Sequence, residues 1–304
     1  MTSLRLLTCA LTAFLTGSDP VAAAPPADSE PAYRQEIEAF RKDRETGLRQ
    51  EDGWFTLVGL FWLAEGRNRF GSDPGNTVIL PEGKSPAVAG TLVRQGDEVR
   101  VEVDKGATVT SGGKPVTEMV LRKDVDRDPT VLELGSLRFF VIQRSDRIGV
   151  RVRDGKAAAL AEFKGLDYFP IDPVWRVSAR FEPSEPGKTI AIPNVLGQIL
   201  DLPSPGALVF ERGGKTYRID ALGSVEDGLS LLFADATSGK ETYGGGRFLE
   251  TDGPKDGTVV IDFNRAYNPP CAFSAFATCP LPPAQNHLAL AVQAGEKRYA
   301  GGHP

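Results

Sequence analysis

Histidine and cysteine are scarce in this sequence, which has two histidines and three cysteines among 304 residues. A zinc site needs clustered Cys and His ligands, and the sequence offers no such cluster. Motifs of the form H-E-x-x-H and G-x-S-x-G are absent, and no G-x-G-x-x-G follows a predicted strand. We therefore predict no metal and no cofactor. A Ser-His-Asp mechanism would depend on His287, because His303 lies in the glycine-rich tail.

Long apolar runs and basic runs are also missing from the body of the chain. No segment after the N-terminus approaches the roughly 18 consecutive apolar residues that a membrane-spanning helix needs. The formal net charge is −5 and no cluster of Lys and Arg stands out, whereas nucleic-acid binding needs a basic surface that displaces counterions. We predict a soluble globular protein with no membrane span and no nucleic-acid partner.

The N-terminus has the pattern of a secretory signal peptide. Arg5 precedes an apolar segment at residues 6–15, and small residues at 21–24 give an A-x-A-like end. We predict that residues 1–23 are cleaved off and that the mature protein is periplasmic or secreted. A buried N-terminal helix is the alternative, although the Gly and Pro residues within 17–20 would interrupt it.

Cleavage would remove Cys9 and leave two cysteines, Cys271 and Cys279. In an oxidising compartment an even pair is interpreted first as a disulfide, and we predict one between these residues. A redox pair and a single nucleophilic cysteine are the alternatives. Neither has the C-x-x-C spacing that lowers the pKa of a thiol.

Glycine and proline are abundant, at 33 and 23 residues, and favour many short strands joined by turns. Residues 29–48 differ, because Tyr33, Ile37 and Leu48 make an apolar stripe at helical spacing. We predict a fold that is all-β with minor helix. Its parts are an N-terminal segment with a helix over residues 24–50, a β-sandwich over 51–155, and a second β-sandwich or barrel-like domain over 156–304.

Apolar segments separated by turn signals predict the strands. In the first domain they cover residues 77–80, 91–94, 99–103, 137–143 and 148–153, after a long apolar run at 54–63. In the second they cover residues 174–181, 208–211, 215–219, 229–234, 247–250, 258–263 and 287–292. Gly213-Gly214 indicates a hairpin turn, and residues 156–164 are predicted to form a short helical linker.

Residues 70–81, Phe-Gly-Ser-Asp-Pro-Gly-Asn-Thr-Val-Ile-Leu-Pro, look like the opening of a forkhead-associated domain, and residues 134–142 resemble its closing strand. The resemblance implies a β-sandwich. In that family an Arg after the glycine, a Ser followed by a His, and an Asn near a turn bind phosphothreonine. Here Ser72 replaces the Arg and no His follows Ser85, so the bidentate phosphate partner is missing. We expect the sandwich without phosphopeptide binding.

The mature chain is also similar to family 1684 of domains of unknown function, which is found in bacteria and archaea. The residues that carry this resemblance are Gly53-Trp54, Val58 to Leu63, Phe163 to Leu166 with Phe169-Pro170, Asp235 to Arg247, Asp262 to Cys271, and Cys279 to Pro283 with Asn286. The family implies no reaction. Its shorter members resemble the second domain alone, which implies that any shared activity lies there.

The segment 235–247 is unusually polar for a connection between strands. Three consecutive glycines within it allow a backbone to approach a ligand closely. Lys240 and Arg247 are suited to a carboxylate or a phosphate, although a charged surface turn would show the same pattern. A P-loop is excluded, because Ala234 occupies the place of its first glycine. The predicted ligand-binding residues of the segment are Asp235, Ser238, Lys240, Tyr243 and Arg247.

Further polar residues follow this segment. Asp262 and Asn264 share one face of the strand predicted at 258–263, and Asn268 begins the loop that leads to the cysteines. The two asparagines complete the predicted ligand-binding set, with simple exposure to solvent as the alternative. Glu241, Asp262 and His287 are the catalytic candidates. For His287 a structural role at a strand edge is the alternative.

Three hypotheses for the function remain. In the first, the second domain binds a small polar or anionic molecule, and the first domain is a scaffold or a protein contact. In the second, the protein is a metal-independent hydrolase in which Glu241 and Asp262 supply general acid and base catalysis. In the third, it is an envelope protein that binds another protein and has no small-molecule site.

The signal peptide gives the first testable prediction. We expect the exported product to begin at Ala24, as measured by intact mass. Ala23→Phe should block cleavage, because the residue before the cut must be small. The matched control Ala22→Phe alters the unconstrained position of the A-x-A pattern and should still be cleaved. An exported product that retains residues 1–23 would contradict the prediction.

Overall fold

The computed structural model describes residues 30–301, so the predicted signal peptide, Cys9 and His303 lie outside the described residues. Within that range the chain is mostly β, with two α-helices, α1 (Glu30–Arg49) and α2 (Ala158–Glu162). This confirms the all-β class with minor helix. Neither helix is long and apolar enough to cross a membrane.

Helix α1 forms where the apolar stripe predicted it. Its buried residues are Tyr33, Ile37 and Leu48. The other faces of the helix carry most of its charged residues. Glu30 stands in its first turn and Arg49 in its last, which complements the positive and negative ends of the helix dipole. Helix α2 lies within the short linker that the sequence predicted.

The first half of the chain is a sandwich of two sheets, which we call the N-terminal sandwich. One sheet has the strand order β1-β11-β10-β9-β6-β7 and the other β3-β2-β4-β5-β8. The strands are β1 (Leu57–Trp62), β2 (Gly66–Gly71), β3 (Val78–Ile79), β4 (Gly90–Gln95), β5 (Glu98–Val103), β6 (Thr110–Ser111), β7 (Lys114–Pro115), β8 (Glu118–Leu121), β9 (Leu132–Leu134), β10 (Leu137–Arg144) and β11 (Arg147–Asp154).

The core of the N-terminal sandwich lies between its two sheets. Phe70 and Leu92 project into it from one sheet, and Phe139 and Val150 from the other. The rings of Phe70 and Phe139 meet with their centroids 5.5 Å apart. Alternating inward side chains from both sheets are what a sandwich requires, so the predicted sandwich is confirmed.

The second half is built around one six-stranded sheet with the order β18-β17-β16-β15-β12-β19, and β13 and β14 form a separate hairpin. The large sheet curls into a half-barrel, which agrees with the barrel-like alternative. Buried phenylalanines, including Phe210, Phe233 and Phe263, fill its interior. The strands are β12 (Arg176–Pro183), β13 (Thr189–Pro193), β14 (Ile199–Pro203), β15 (Gly206–Arg212), β16 (Lys215–Ser224), β17 (Gly228–Phe233), β18 (Arg247–Thr251) and β19 (Thr258–Asp262).

The strand predicted at residues 287–292 is wrong. The chain there follows a short 3-10 turn, Ala284–Asn286, and makes an isolated bridge between His287 and Ala234. The side chain of Asn286 fixes the segment, since it donates to the carbonyls of Asp220 and Leu232 at 2.9 Å each. Leu288 and Val292 are buried in the half-barrel core. The apolar residues of this segment are therefore explained by burial and not by pairing with a neighbouring strand.

Helix α1 packs against the second half of the chain through a buried polar network. Arg44 Nε donates to Glu296 Oε1 at 3.0 Å, and Arg44 Nη2 donates to the carbonyl of Asn268 at 2.8 Å. The backbone N–H of Asn268 donates to the second oxygen of Glu296 at 2.8 Å. The side chain of Glu296 is 0% exposed, and burial raises its pKa above the ordinary value. The ion pair with Arg44 therefore offsets part of the cost of burying the Glu296 carboxylate.

Removal of Arg44 tests the network. Arg44→Ala should lower the free energy of unfolding at pH 7 by about 3 kcal/mol, because it leaves a buried carboxylate without its partner. The matched control Arg34→Ala removes an exposed i,i+4 pair with Glu30 on the same helix and should cost less than about 1 kcal/mol. Urea denaturation measures both.

The pH dependence gives the same test a second readout. A carboxyl with a raised native pKa binds its proton more tightly when folded, so its contribution is most favourable at low pH and is lost as the pH rises through the native pKa. Glu296 in Arg44→Ala should therefore become neutral at mildly acidic pH. The difference in stability between Arg44→Ala and the parent should shrink on acidification, and a constant difference would contradict this account.

Candidate functional site

The polar segment 235–247 folds around a buried ion pair. Arg247 Nη2 donates to Asp235 Oδ2 at 2.7 Å, and both side chains are fully buried. Arg247 also donates to the carbonyls of Val292 and Ala294, and burial lowers its pKa. The charge of Arg247 is therefore neutralised by Asp235 inside the protein, and its role in binding a ligand anion stays a prediction.

The other residues of the segment shape the turn. Asp235 Oδ1 accepts from the backbone N–H and the hydroxyl of Thr237, at 2.7 and 2.6 Å. Ser238 Oγ accepts from the N–H of Asp235 at 3.1 Å. Gly246 has φ +83°, and an added Cβ would lie 2.4 Å from Pro282. These residues build a compact connection, while Lys240 stays exposed and does not converge with Arg247.

The predicted ligand-binding asparagines are buried and hydrogen-bonded within the protein. Asn264 Nδ2 donates to the hydroxyl of Tyr33 and to the carbonyl of Asp172, both at 2.8 Å. Asn268 Nδ2 donates to the carbonyl of Lys297 at 2.8 Å. Both side chains therefore bond the end of the half-barrel to neighbouring segments, and their contact with a ligand stays a prediction.

The three catalytic candidates have separate surroundings. Asp262 accepts from the hydroxyl of Tyr33 on helix α1 at 2.9 Å, and burial raises its pKa. Glu241 is exposed and accepts from Gln293 at 3.3 Å, so it shares no partner with Asp262. His287 is exposed on the segment that bridges to Ala234. The structure therefore gives no support to a carboxylate pair acting on one bond.

A cavity of about 400 Å³ lies where the N-terminal sandwich meets the second half of the chain. We call it the interdomain cleft. One wall comes from strand β1, another from the turn between β13 and β14, and a third from the loop that carries the cysteines, while Tyr243 of the 235–247 segment completes the lining. Its lining residues are Leu60, Trp62, Val195, Leu196, Tyr243, Cys271, Ser274, Ala275, Phe276 and Ala277.

Hydrogen bonds hold the walls of the interdomain cleft together. Gln198, beside the β13–β14 turn, donates from Nε2 to the carbonyl of Arg144 at 3.0 Å. Arg144 Nε in turn donates to the hydroxyl of Thr278 at 3.0 Å. The N–H of Val195 donates to the carbonyl of Cys279 at 3.1 Å. These contacts join the β13–β14 turn and the cysteine loop to each other and to Arg144 at the end of strand β10.

Polar groups in the interdomain cleft are few. Within the described part of the chain the hydroxyl of Tyr243 has no hydrogen-bond partner, although burial raises its pKa. The hydroxyl of Ser274 donates to the carbonyl of Leu57 at 3.5 Å. The third polar group is the thiol of Cys271, which is half-buried. The remainder of the lining is apolar or aromatic. The cleft therefore suits a ligand that is mostly apolar and carries one polar group.

The two cysteines are adjacent and their thiols are free in this structure. The N–H of Cys271 donates to Cys279 Sγ at 3.1 Å, and the N–H of Cys279 donates to Cys271 Sγ at 3.4 Å. The predicted disulfide therefore stays a prediction. A side-chain hydrogen bond with Cys279, helped by the backbone N–H of Cys279 and the charge of Arg151, lowers the pKa of the Cys271 thiol despite burial. The side-chain hydrogen bond with Cys271, together with burial, raises the pKa of Cys279.

A buried arginine lies beside the cysteine pair. Arg151, on strand β11, is 5% exposed and donates from Nη2 to the hydroxyl of Thr278 at 3.2 Å. Its Nε is buried without a hydrogen-bond partner, and no carboxylate of residues 30–301 lies within ion-pair distance. Desolvation, together with the positive charge of Arg144, lowers its pKa to about 10. Arg151 is therefore a buried cation near Cys271 that lies outside the residues lining the interdomain cleft.

Two further cavities belong to the N-terminal sandwich. The larger, of about 650 Å³, is lined by Ser72 and by the carboxylates of Asp73 and Glu82. These acids disfavour a phosphate, and Ser72 Oγ donates to the carbonyl of Ser85 at 3.1 Å. The smaller has about 190 Å³. No group of three potential metal ligands forms among the residues that the structure describes.

Sequence reasoning named Tyr243, Cys271 and Cys279 but missed the opposite wall of the cleft. Leu60 and Trp62 belonged to an apolar run that was assigned to a strand and not to a site. Leu60 and Trp62 lie on the same face of β1. Both are half-exposed, and the sequence does not show that this face is left partly uncovered. Arg151 gave no signal, since a single arginine in a strand usually faces solvent.

A family model and several solved structures match this chain. The family model described as "Protein of unknown function (DUF1684)" matches residues 161–297. A solution NMR structure of the uncharacterized protein from gene locus rrnAC0354 of Haloarcula marismortui is 33% identical, and the match covers 45% of this chain and 78% of that one, with a TM-score of 0.38. No curated protein matches the chain.

Two structures of FHA domains also match about a third of the chain each. The FhaA FHA domain complexed with the intracellular domain of Rv3910 is 19% identical, covering 31% of this chain and 97% of that one, with a TM-score of 0.23. A structure from an analysis of phosphothreonine-dependent FHA domain interactions is 20% identical, covering 32% and 96%, with a TM-score of 0.22.

The matched residues 161–297 include the half-barrel, the buried Arg247–Asp235 pair and the loop with both cysteines. They also supply the walls of the interdomain cleft other than strand β1. From these matches and motifs, the chain belongs to the DUF1684 family of proteins of unknown function.

Proposed function

We propose that this protein binds a small anionic molecule with an apolar or aromatic body in the interdomain cleft. The observation that carries the proposal is the cavity of about 400 Å³ enclosed by residues from both halves of the chain. Small-molecule sites have volumes of roughly 300–1,000 Å³ and prefer junctions between domains. Within the family region the half-barrel interior contains a buried hydrophobic core.

The lining determines the chemistry of the ligand. Trp62, Leu196 and Phe276 present apolar surface, which favours an aromatic or aliphatic body. The Tyr243 hydroxyl is available to hydrogen-bond one polar group. Positive charge lies on the sandwich side, where Arg151 is buried and the guanidinium of Arg147 sits 4.0 Å from the Trp62 ring centroid. An acidic group on the ligand is therefore favoured over a basic one.

Export is part of the proposal. The basic residue, apolar segment and small residues at the N-terminus support a mature protein in the periplasm or outside the cell. There the protein would meet ligands taken up from or released to the surroundings. A role as a binding protein also fits the separate surroundings of Glu241 and Asp262, which do not form a hydrolytic pair.

Filling the cleft tests the proposal. Anilinonaphthalene sulfonate, indole acetate and octanoate are the probes, and a probe at a hundred times its Kd should stabilise the protein by about 2.7 kcal/mol. This appears as a rise of several degrees in Tm. Ala275→Trp places a large ring at an exposed position of the cleft wall and should abolish the rise. Ala161→Trp, at an exposed position of helix α2, is the matched control and should keep it.

An equal rise of Tm in the parent and in Ala275→Trp would place the binding elsewhere and sink the proposal. Absence of a rise with all three probes would also count against it and would favour a protein partner in the envelope. Fluorescence titration with anilinonaphthalene sulfonate gives the Kd independently of unfolding.

The polar attachment can be tested separately. Tyr243→Phe should weaken binding of indole acetate about 3- to 10-fold, since it removes one hydrogen bond worth about 0.5–1.5 kcal/mol. Tyr217→Phe removes a hydroxyl that bonds to the carbonyl of Ala289 on the half-barrel and should leave the Kd unchanged. Equal Kd values for Tyr243→Phe and the parent would show that this hydroxyl does not contact the ligand.

A further inference from the structure

We infer that Cys271 and Cys279 form a thiol–disulfide exchange site that acts on small organic disulfides entering the interdomain cleft. The inference rests on the proposed function, because the cleft admits the substrate, and it adds a substrate class and a reaction. Cys271 is the attacking residue and Cys279 resolves the mixed disulfide. No C-x-x-C motif marks the pair in the sequence, so the geometry carries the argument.

The two thiols differ in access. Cys271 lines the cleft and is half-buried, so a substrate sulfur can reach it. Cys279 is 4% exposed and does not line the cleft. Each sulfur lies within hydrogen-bond distance of the backbone N–H of the other cysteine. An outer attacking thiol with an inner partner in contact is the arrangement that exchange requires.

The surroundings favour a thiolate at Cys271. The groups that act on it are Cys279, which donates a hydrogen bond through its backbone N–H, and Arg151, whose buried guanidinium lacks a carboxylate partner. Tyr243 lies across the cleft, and its own raised pKa keeps it neutral. Thiolates form at positions with nearby cations and N–H donors, and the thiolate is the nucleophile. The lowered pKa of Cys271 agrees with this geometry.

The reaction balances without a further redox partner. The Cys271 thiolate attacks one sulfur of the disulfide RS–SR, forming Cys271–S–S–R and releasing RS⁻. The Cys279 thiol then loses its proton and attacks the Cys271 sulfur, which forms the Cys271–Cys279 disulfide and releases the second RS⁻. The two protons of the protein thiols convert the released thiolates into two RSH molecules. The cysteine pair is oxidised by two electrons, and RSSR is reduced by two.

Stoichiometry and mass test the inference. The probe is the aromatic, anionic disulfide dithiobis-nitrobenzoate, added to the mature chain after reduction and removal of the reductant. The parent should release two thiolates and end without an adduct, because its own disulfide has formed. Cys279→Ser should release one and keep one adduct on Cys271. Cys271→Ser should react at least about tenfold more slowly, since Cys279 is buried.

Three outcomes would overturn the inference. The first is a parent that ends with two adducts and no internal disulfide. The second is equal rates for Cys271→Ser and Cys279→Ser. The third is an internal disulfide that excess reduced glutathione fails to open in the folded protein, which would make the bond a structural cross-link. In each case the Tm shifts of the previous subsection still report on cleft binding, so failure of the exchange chemistry is distinguishable from failure of the proposed function.

The pH–rate profile tests the role of Arg151 as a positioning residue. Arg151→Gln should move the midpoint of the rate of Cys271 with the probe to higher pH, because the cation that favours the thiolate is gone. Arg151→Lys keeps the charge and should restore the parent midpoint at least in part. A profile that is the same for Arg151→Gln and the parent would show that Arg151 only supports the fold.

Discussion

A buried network of charges holds the second half of this protein together. Glu296 lies between Arg44 of helix α1 and the Arg247–Asp235 pair, and the charges of Glu296 and Arg247 favour each other's ionised forms. Two cations and two anions balance one another away from solvent. Asn268, which donates to Glu296, is also the first residue of the loop that carries both cysteines. The position of that loop, and hence one wall of the interdomain cleft, follows from the pairing of these charges.

Much of the fold could be predicted from the sequence, because helix α1 and most strands have apolar residues at a clear spacing. The hairpin at Gly213-Gly214 is an example, since β15 and β16 pair from Arg212 and Lys215 outward. The hairpin β13–β14 was missed although β13 alternates exposed and buried residues, because its partner β14 is exposed at four of five positions and shows no alternation. The strand expected at 287–292 failed for the opposite reason. Its alternation is real, but Asn286 supplies the backbone with side-chain partners in place of a neighbouring strand.

The candidate site was harder to predict, because a sequence reports which side chains are polar and not where they point. The sequence predicted a ligand-binding role for four polar residues, Asp235, Arg247, Asn264 and Asn268. In the structure their side chains bond to other buried groups of the protein. A buried arginine needs a carboxylate and carbonyls whether or not a ligand is near. The interdomain cleft joins β1 to a loop more than two hundred positions later, and no local pattern encodes that contact. The pairing of the cysteines could be inferred because two remain after the predicted signal-peptide cleavage. The guanidinium of Arg151 beside them, which has no carboxylate partner in residues 30–301, could not be inferred.

Helix α1 also has a consequence for the order of events during synthesis. It is made early, yet its partners Asp262 and Glu296 lie 229 and 252 positions further along the chain. The helix cannot complete its contacts until the chain has been made as far as Glu296. Contacts of such separation are formed late and at a high cost in loop closure. Docking of the helix is thus completed only when Glu296 is available, and a chain truncated just before Glu296 keeps the contact with Asp262 but loses the ion pair of Arg44.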